Sequence, residues 1–421
     1  MNLIIRQARI IDGQSAFHDK ICDILIHNAI IRKIAPAIPE KADHEVQGKD
    51  CCLSPGFFDL HVNFCEPGFE YKEDLQSGCR AAMAGGFTGV LQMPSTFPVI
   101  QDRSGIEMVR TRTKDELVEL AVAGALSADM AGKDLTEMFD MHQNGARCFT
   151  DDKKSVQDAG LMMRALLYVK NFKGLIMSFP NDRSLSGKGQ MNEGVTSTQL
   201  GLKGIPSISE ELMTARDLTL CEYTDSRIHF STISTRGTVA LIRQAKAKGL
   251  KVTCDVAAHH LLLDDSLLED FDTRFKIMPP LRTKDDIAAL KEGLVDGTID
   301  AICSDHTPED IESKQKEFDH ASPGAGGLET AFAAAYTAMK DVMDIAQLAD
   351  KMSNAPRKII SLPAIKIAEG EPANCTLLDL TGNWTVSEND LKSKSRNNPF
   401  LGMKLTGKVR GVMNKDQFFP G

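Results

Sequence analysis

The sequence lacks four features that would assign it to a specialised class of protein. Its formal net charge of −9 is spread along the chain without a Lys/Arg cluster, so we expect no nucleic-acid partner. No apolar run reaches the roughly 18 residues of a membrane span, and the start, MNLIIRQARIIDG, alternates like a strand without a cleavage site, so we expect no membrane association and no signal peptide. The ten cysteines include no C-x-x-C pair. This favours reduced thiols and a cytoplasmic location over a disulfide framework.

The chain does contain a regular alternation of two kinds of segment from Pro55 onward. Helix-period segments such as TRGTVALIRQAKAKG separate short apolar runs, and these runs are GFFDLHVN, TGVLQMPS, VELAVAGAL, ARCFTD, GLIMSFP, RIHFSTIS, KVTCDVAAHH and DAICSDH. Such alternation predicts an α/β protein with strands followed by helices. Eight units favour a (β/α)₈ barrel, although a doubly wound open sheet gives a similar pattern.

The residue pattern at both ends of the chain differs from the alternating pattern of its middle. Segments such as ICDILIHNAIIRKIAP and NCTLLDLTGNWTV predict short strands joined by turns. We therefore predict that residues 1–54 and 356–421 pair into one small composite β-sandwich domain, and that residues 55–355 form the barrel.

Polar side chains near the ends of the predicted barrel strands indicate where a site would form. The carboxyl ends of barrel strands form the active site in this architecture. The residues at those ends are His61 and Asn63 on the first strand, Asp151 on the fourth, Phe179 on the fifth, Thr232 on the sixth and Asp305 on the eighth. Imidazole and carboxylate groups among them can bind a metal ion. His259 and His260 on the predicted seventh strand alternate in direction, so at most one should face the barrel mouth, and we interpret them as packed or backbone-bonded imidazoles.

Several longer stretches resemble one enzyme family. They are PGFFDLHVNFCEPGFEYKEDLQSGCRAAMAGGFTGVLQMPST, MNEGVTSTQLGLKGIPSISEE, HHLLL, FKIMPPLR, DGTIDAICSDHTP and SKSRNNPFLG, and together they resemble dihydroorotase, a cyclic amidohydrolase of the amidohydrolase superfamily. The resemblance runs in order over essentially the whole chain. It implies a (β/α)₈ barrel with a composite β-sandwich, and the interconversion of carbamoyl aspartate and dihydroorotate in pyrimidine biosynthesis. It also implies one or two zinc ions that activate water, and a proton-shuttling aspartate at Asp305.

The same resemblance implies that the metal site has changed. Three metal-ligand histidines of the family are replaced here, by Asn63, Phe179 and Thr232. The bridging position on the fourth strand falls on Asp151, with Asp152 as the alternative in register. The residual ligands would be His61, Asp151 and Asp305, so we expect no zinc or at most one weakly bound zinc. Without a metal, we expect His61 and the aspartates to hydrogen-bond one another and their neighbours.

Positions that bind the substrate in the family are altered as well. The arginine that holds the substrate carboxylate is replaced by Cys65, two asparagines are replaced by Ser95 and Met278, and a histidine is replaced by Glu309. No histidine is placed to activate Cys65, so we interpret it as a small filler rather than a nucleophile.

Two hypotheses about function follow. In the first, the chain is a non-catalytic or impaired dihydroorotase-like protein that associates with aspartate transcarbamoylase or with an active dihydroorotase paralogue. In the second, it is an active dihydroorotase, or a related cyclic amidohydrolase, with a reduced mononuclear metal site. Loss of metal and substrate positions together favours the first, because the metal supplies the nucleophile. The resemblance further implies a homodimer.

Overall fold

A computed structural model describes residues 2–421. Its strands are β1 (Asn2–Ile10), β2 (Ile21–His27), β3 (Ile30–Ala35), β4 (His44–Gln47), β5 (Cys51–Pro55), β6 (Phe57–Val62), β7 (Phe87–Gln92), β8 (Glu119–Gly124), β9 (Ala146–Phe149), β10 (Ile176–Ser178), β11 (Met191–Asn192), β12 (Gly204–Ile205), β13 (Arg227–Phe230), β14 (Lys251–Ala257), β15 (Ala301–Cys303), β16 (Cys375–Thr385), β17 (Lys404–Asn414) and β18 (Gln417–Pro420).

The α-helices lie mainly between the strands of the central region. They are α1 (Leu75–Ala84), α2 (Arg103–Arg112), α3 (Met138–Gln143), α4 (Ala159–Lys170), α5 (Arg183–Ser186), α6 (Val195–Leu200), α7 (Ile208–Thr224), α8 (Arg236–Ala247), α9 (Lys284–Val295), α10 (Ile311–Lys314), α11 (Leu328–Met339), α12 (Ile345–Met352) and α13 (Asn354–Ile359).

Eight parallel strands form the barrel in the order β15-β14-β13-β10-β9-β8-β7-β6. The first and last strands meet beyond their ends, where the amide of Asn63 donates to the carbonyl of His306 at 2.8 Å and the amide of His306 donates to the carbonyl of His61 at 3.2 Å. This closure confirms the predicted (β/α)₈ barrel, and the open-sheet alternative is wrong.

Local sequence explains why these segments fold as they do. Every residue of β6, FFDLHV, is buried, as expected for a parallel strand covered on both faces. Helix α8 begins after Thr235, whose side chain accepts a hydrogen bond from the amide of Thr238, a standard N-cap. It ends before Gly249, which has a φ of 83°, as the helix-period segment predicted.

The inside of the barrel is filled by apolar side chains rather than by solvent. Phe58, Leu60, Leu91, Met177 and Cys303 belong to one buried cluster within it. Filled layers of this kind are typical of such barrels and leave the strand ends to carry the chemistry.

The second sheet joins the two ends of the chain. Its strands run in the order β18-β17-β16-β5-β1-β2-β3, with β4 beside β1, and β16 pairs with β5 in antiparallel register from Cys375 opposite Pro55. The predicted composite β-domain is therefore present. The boundaries at residues 54 and 356 stay a prediction, since Pro356 lies within α13, which contacts the barrel strands β6 and β15. Across residues 2–421, no helix combines the length and apolarity that crossing a membrane requires.

Candidate active site

A cavity of about 890 Å³ lies at the mouth of the barrel. The residues on its wall include most of the altered family positions, namely Asn63, Cys65, Ser95, Met278 and Glu309, together with Asp305. A larger cavity of about 1110 Å³ lies at the opposite end, beside residues that begin the strands, such as Arg227 and Lys251. It contains none of the predicted site positions, so the mouth cavity is the candidate site.

His61 and Asp152 form the centre of the site. Nε2 of His61 lies 2.7 Å from Oδ1 of Asp152. The other oxygen of Asp152 accepts hydrogen bonds from the side-chain amide of Asn63 at 3.1 Å and from the hydroxyl of Ser95. Two positions altered from the family, Asn63 and Ser95, are therefore occupied in holding a carboxylate of this chain.

The sequence favoured Asp151 over Asp152 as the fourth-strand carboxylate of the site, but the structure places Asp152 beside His61. The carboxylate of Asp151 is turned away from His61 and accepts hydrogen bonds from the amide of Ser127 at 2.8 Å and from its hydroxyl. Both aspartates are buried, but Asp152, the alternative in register, faces His61. The chain turns between them, since Asp152 has a φ of 49°. The alternation of side chains along an extended strand therefore does not apply at Asp151 and Asp152, and it cannot predict which of the two points inward.

Lys153 is the site residue that sequence reasoning missed. Its ammonium lies 2.8 Å from Oδ1 of Asp305, donates to the hydroxyl of Thr232 at 3.2 Å and lies 4.7 Å from the ring centroid of Phe179. It thus contacts the three residues at the ends of the fifth, sixth and eighth strands. The one signal in the sequence is its place in CFTDDKK, directly after two acidic residues.

The charges of this cluster balance. Burial and Lys153 oppose a charge on His61, but Asp152 and Asp305 outweigh them and raise the pKa of His61 to about 9. Burial likewise opposes ionisation of Asp152, but His61, Lys153 and Ser95 lower the pKa of Asp152 to about 2. The pKa of Asp305 lies below its usual range, because Lys153 and His61 outweigh burial. Two cations and two anions therefore neutralise one another, and neither aspartate is held protonated.

Four residues around the mouth have left-handed backbone conformations. They are Cys65, Asp152, Thr232 and Asp305, with φ of 61°, 49°, 51° and 51°. This conformation is uncommon for residues other than glycine and is a marked outlier for a β-branched residue such as Thr232. Strained backbone of this kind is often found at functional sites, so these four positions support a functional site at the barrel mouth.

The remaining predicted site residues have partners or packing of their own. Glu309 pairs with Lys72 at 2.8 Å. Burial raises the pKa of the Cys65 thiol to about 12, which excludes a thiolate nucleophile near neutral pH and agrees with its interpretation as a filler. Of the two histidines after β14, His259 lines the cavity, whereas Nε2 of His260 lies 3.2 Å from the carbonyl oxygen of Pro280.

The donors present do not fit the binuclear zinc centre that the resemblance implies. Phe179 offers a ring without a lone pair, Thr232 accepts a hydrogen bond from Lys153, and Asn63 presents its NH₂ group to Asp152. Zinc in such sites requires imidazole, thiolate or carboxylate ligands. Some buried polar atoms are left without hydrogen-bond partners, namely Nδ1 of His61, Oδ1 of Asn63, Nε2 of His259 and Oδ1 of Asp305. Nδ1 of His61 nevertheless lies 2.6 Å from Oδ1 of Asp305. Because neither atom has a hydrogen-bond partner, this contact is an ion pair without hydrogen-bond alignment.

The fold and the position of the site together define a (β/α)₈ barrel with an added β-domain and a candidate site at the barrel mouth. The fold matches the L-hydantoinase (dihydropyrimidinase) from Arthrobacter aurescens with a TM-score of 0.83 and 21% identity, over 99% of this chain and 95% of that one. It matches the D-hydantoinase (dihydropyrimidinase) from Thermus sp. with a TM-score of 0.84 and 21% identity, over 99% of this chain and 94% of that one. At this identity, the likeness establishes the architecture.

Sequence comparison identifies the family. A family described as dihydro-orotase-like matches residues 51–238. The dihydroorotase of Pelobacter propionicus is 41% identical over 97% of this chain and 96% of its own length, and that of Geobacter metallireducens is 40% identical over the same shares. The chain therefore belongs to the dihydroorotase family, as the sequence motifs predicted.

Proposed function

We propose that this chain is a dihydroorotase-like protein of pyrimidine biosynthesis with little or no dihydroorotase activity. The observation that carries the proposal is the position of the Lys153 ammonium. It lies 2.8 Å from Asp305, the position of the family's proton-shuttling aspartate, and contacts Thr232 and Phe179, which occupy two metal-ligand positions. An ammonium group and a zinc ion repel each other and compete for the same carboxylate, so Lys153 opposes metal binding.

The altered substrate positions support the same proposal. Dihydroorotate carries a carboxylate, which is held in the family by an arginine at the position of Cys65. Here that position offers a buried, protonated thiol, Met278 offers no donor, and Glu309 adds a negative charge that is already paired with Lys72. A substrate carboxylate would thus lose its charge-assisted partner, and loss of such positioning costs about 10²-fold or more in rate.

Metal analysis combined with a dihydroorotate hydrolysis assay tests the proposal. Purified protein dialysed against zinc should retain less than one tightly bound equivalent, and its turnover should lie far below the roughly 1 s⁻¹ at the lower end of typical enzymes. The 41% identical dihydroorotase of Pelobacter propionicus, prepared in parallel, serves as the positive control. Two zinc ions that survive a mild chelator, or turnover at about 1 s⁻¹ or faster, would contradict the proposal.

A second candidate is an active dihydroorotase, or a related cyclic amidohydrolase, with a mononuclear metal site. It is favoured by the retention of His61, Asp152 and Asp305 in mutual contact and by the poor hydrogen bonding of His61 Nδ1 and Asp305 Oδ1. This candidate predicts one zinc equivalent and a turnover that Asp305→Asn abolishes. The wild-type assay above separates the two candidates.

The proposal extends to location and partners. We propose a cytoplasmic homodimer that associates with aspartate transcarbamoylase or with an active dihydroorotase paralogue. A chain that has the family fold but no catalytic activity can still bind a partner protein in a complex. Co-expression with each partner, followed by size-exclusion chromatography with light scattering, tests this role. Separate elution of all components would contradict it.

A further inference from the structure

Most of the charged residues of the mouth cavity are paired with one another. Six charged side chains in or next to its wall form three ion pairs: Lys72 with Glu309 at 2.8 Å, Lys153 with Asp305 at 2.8 Å, and His61 with Asp152 at 2.7 Å. Two further charged residues on the wall, Lys154 and Asp129, are exposed and opposite in sign. The cavity therefore has no surplus of positive charge that would attract an anion.

Apolar side chains make up much of the rest of the wall. Val99, Met130, Ile277 and Met278 face the same cavity as Phe97. Phe97 is 71% exposed and lies in the loop after β7. Single exposed apolar residues are ordinary on protein surfaces, but a largely apolar cavity lining with an exposed aromatic at its rim indicates a binding surface.

We infer that the mouth cavity binds an uncharged small molecule with an apolar body and disfavours carboxylates such as dihydroorotate. The one wall cation outside these ion pairs, Lys154, is exposed, so water screens its charge. An anion entering the cavity therefore loses water without gaining a buried cation, which is unfavourable, whereas an apolar body gains by leaving water. The volume of about 890 Å³ lies within the range of small-molecule sites. The inference rests on the proposed function, because a metal centre in the cavity would restore a cationic anchor for an anion.

A pair of probes that differ only in charge tests the inference. The probes are 3-phenylpropanamide and 3-phenylpropanoate, titrated into the full-length protein at constant ionic strength by calorimetry or ligand-observed NMR. We expect saturable binding of the amide and at least about tenfold weaker binding of the carboxylate, a difference of about 1.4 kcal/mol. A carboxylate that binds as tightly as the amide would overturn the inference, and so would an amide that does not bind.

A surface variant locates the bound probe. Phe97→Ser should weaken amide binding at least about threefold, because it removes apolar contact area at the rim. Tyr223→Ser is the matched control, since Tyr223 is a comparably exposed aromatic at 78% on α7, away from the cavity wall, and it should leave binding unchanged. Both positions are exposed, so both variants should keep the wild-type melting temperature. Equal affinity in the Phe97 variant and wild type would also overturn the inference.

The hydrolysis assay separates this inference from the proposed function. Turnover of dihydroorotate by the same preparation would refute the proposed function, whatever the amide titration shows. Absence of turnover together with absence of amide binding would refute only the inference about the ligand.

Discussion

The most direct perturbation of the site is Lys153→Met, which removes the ammonium group and keeps an unbranched side chain. Asp305, 4% exposed, would lose its ion pair with the Lys153 ammonium at 2.8 Å and keep its ion pair with His61 at 2.6 Å. Breaking a buried ion pair from one side costs about 3–5 kcal/mol. The side chain of Lys153 is 20% exposed, so water screens the pair and we reduce the expected loss to about 2 kcal/mol.

Urea unfolding at pH 7, followed by circular dichroism, measures this loss. Lys154→Met is the matched control, because Lys154 is the next residue and is exposed, so its replacement should change the free energy of unfolding by no more than about 0.5 kcal/mol. A double-mutant cycle with Asp305→Asn should give a coupling energy of at least about 1 kcal/mol. If the Lys153 variant unfolds at the same urea concentration as the Lys154 variant, the account of Lys153 as the counter-ion of Asp305 is wrong.

Three further predictions concern the same site. The triple variant Asn63→His, Phe179→His, Thr232→His should bind clearly less zinc by elemental analysis than a quadruple variant that also carries Lys153→Ala, because the ammonium opposes the metal; equal zinc content in both would contradict this. The imidazole of His61 should titrate near pH 9 by NMR. Asp152→Asn should lower that pKa and Asp151→Asn should not, whereas the reverse order would restore Asp151 as the partner. Burial lowers the pKa of His259 to about 4. Since the unfolded chain then binds more protons between about pH 6.5 and 4, the free energy of unfolding should fall as the pH falls through that window. His259→Gln should reduce the fall by up to about 3 kcal/mol, and an unchanged slope would count against the buried neutral imidazole.

The sequence by itself determined the architecture and the places where the family site has changed. Strand and helix periods depend on side chains near one another along the chain, so eight apolar runs separated by helix-period segments favoured the barrel over an open sheet. The residues at the strand ends, such as His61 and Asp305, then followed from the geometry common to all such barrels. The family followed from motifs that run through the whole chain.

Only the tertiary structure decided which carboxylate meets His61 and what occupies the space beside it. Asp151 and Asp152 are adjacent, and the alternation that would distinguish them ends where the backbone of Asp152 becomes left-handed. Lys153 carries a long flexible side chain whose contacts, Asp305, Thr232 and Phe179, come from three other strand ends. No local pattern encodes such contacts, because they exist only once the barrel has closed and brought distant strand ends to one mouth.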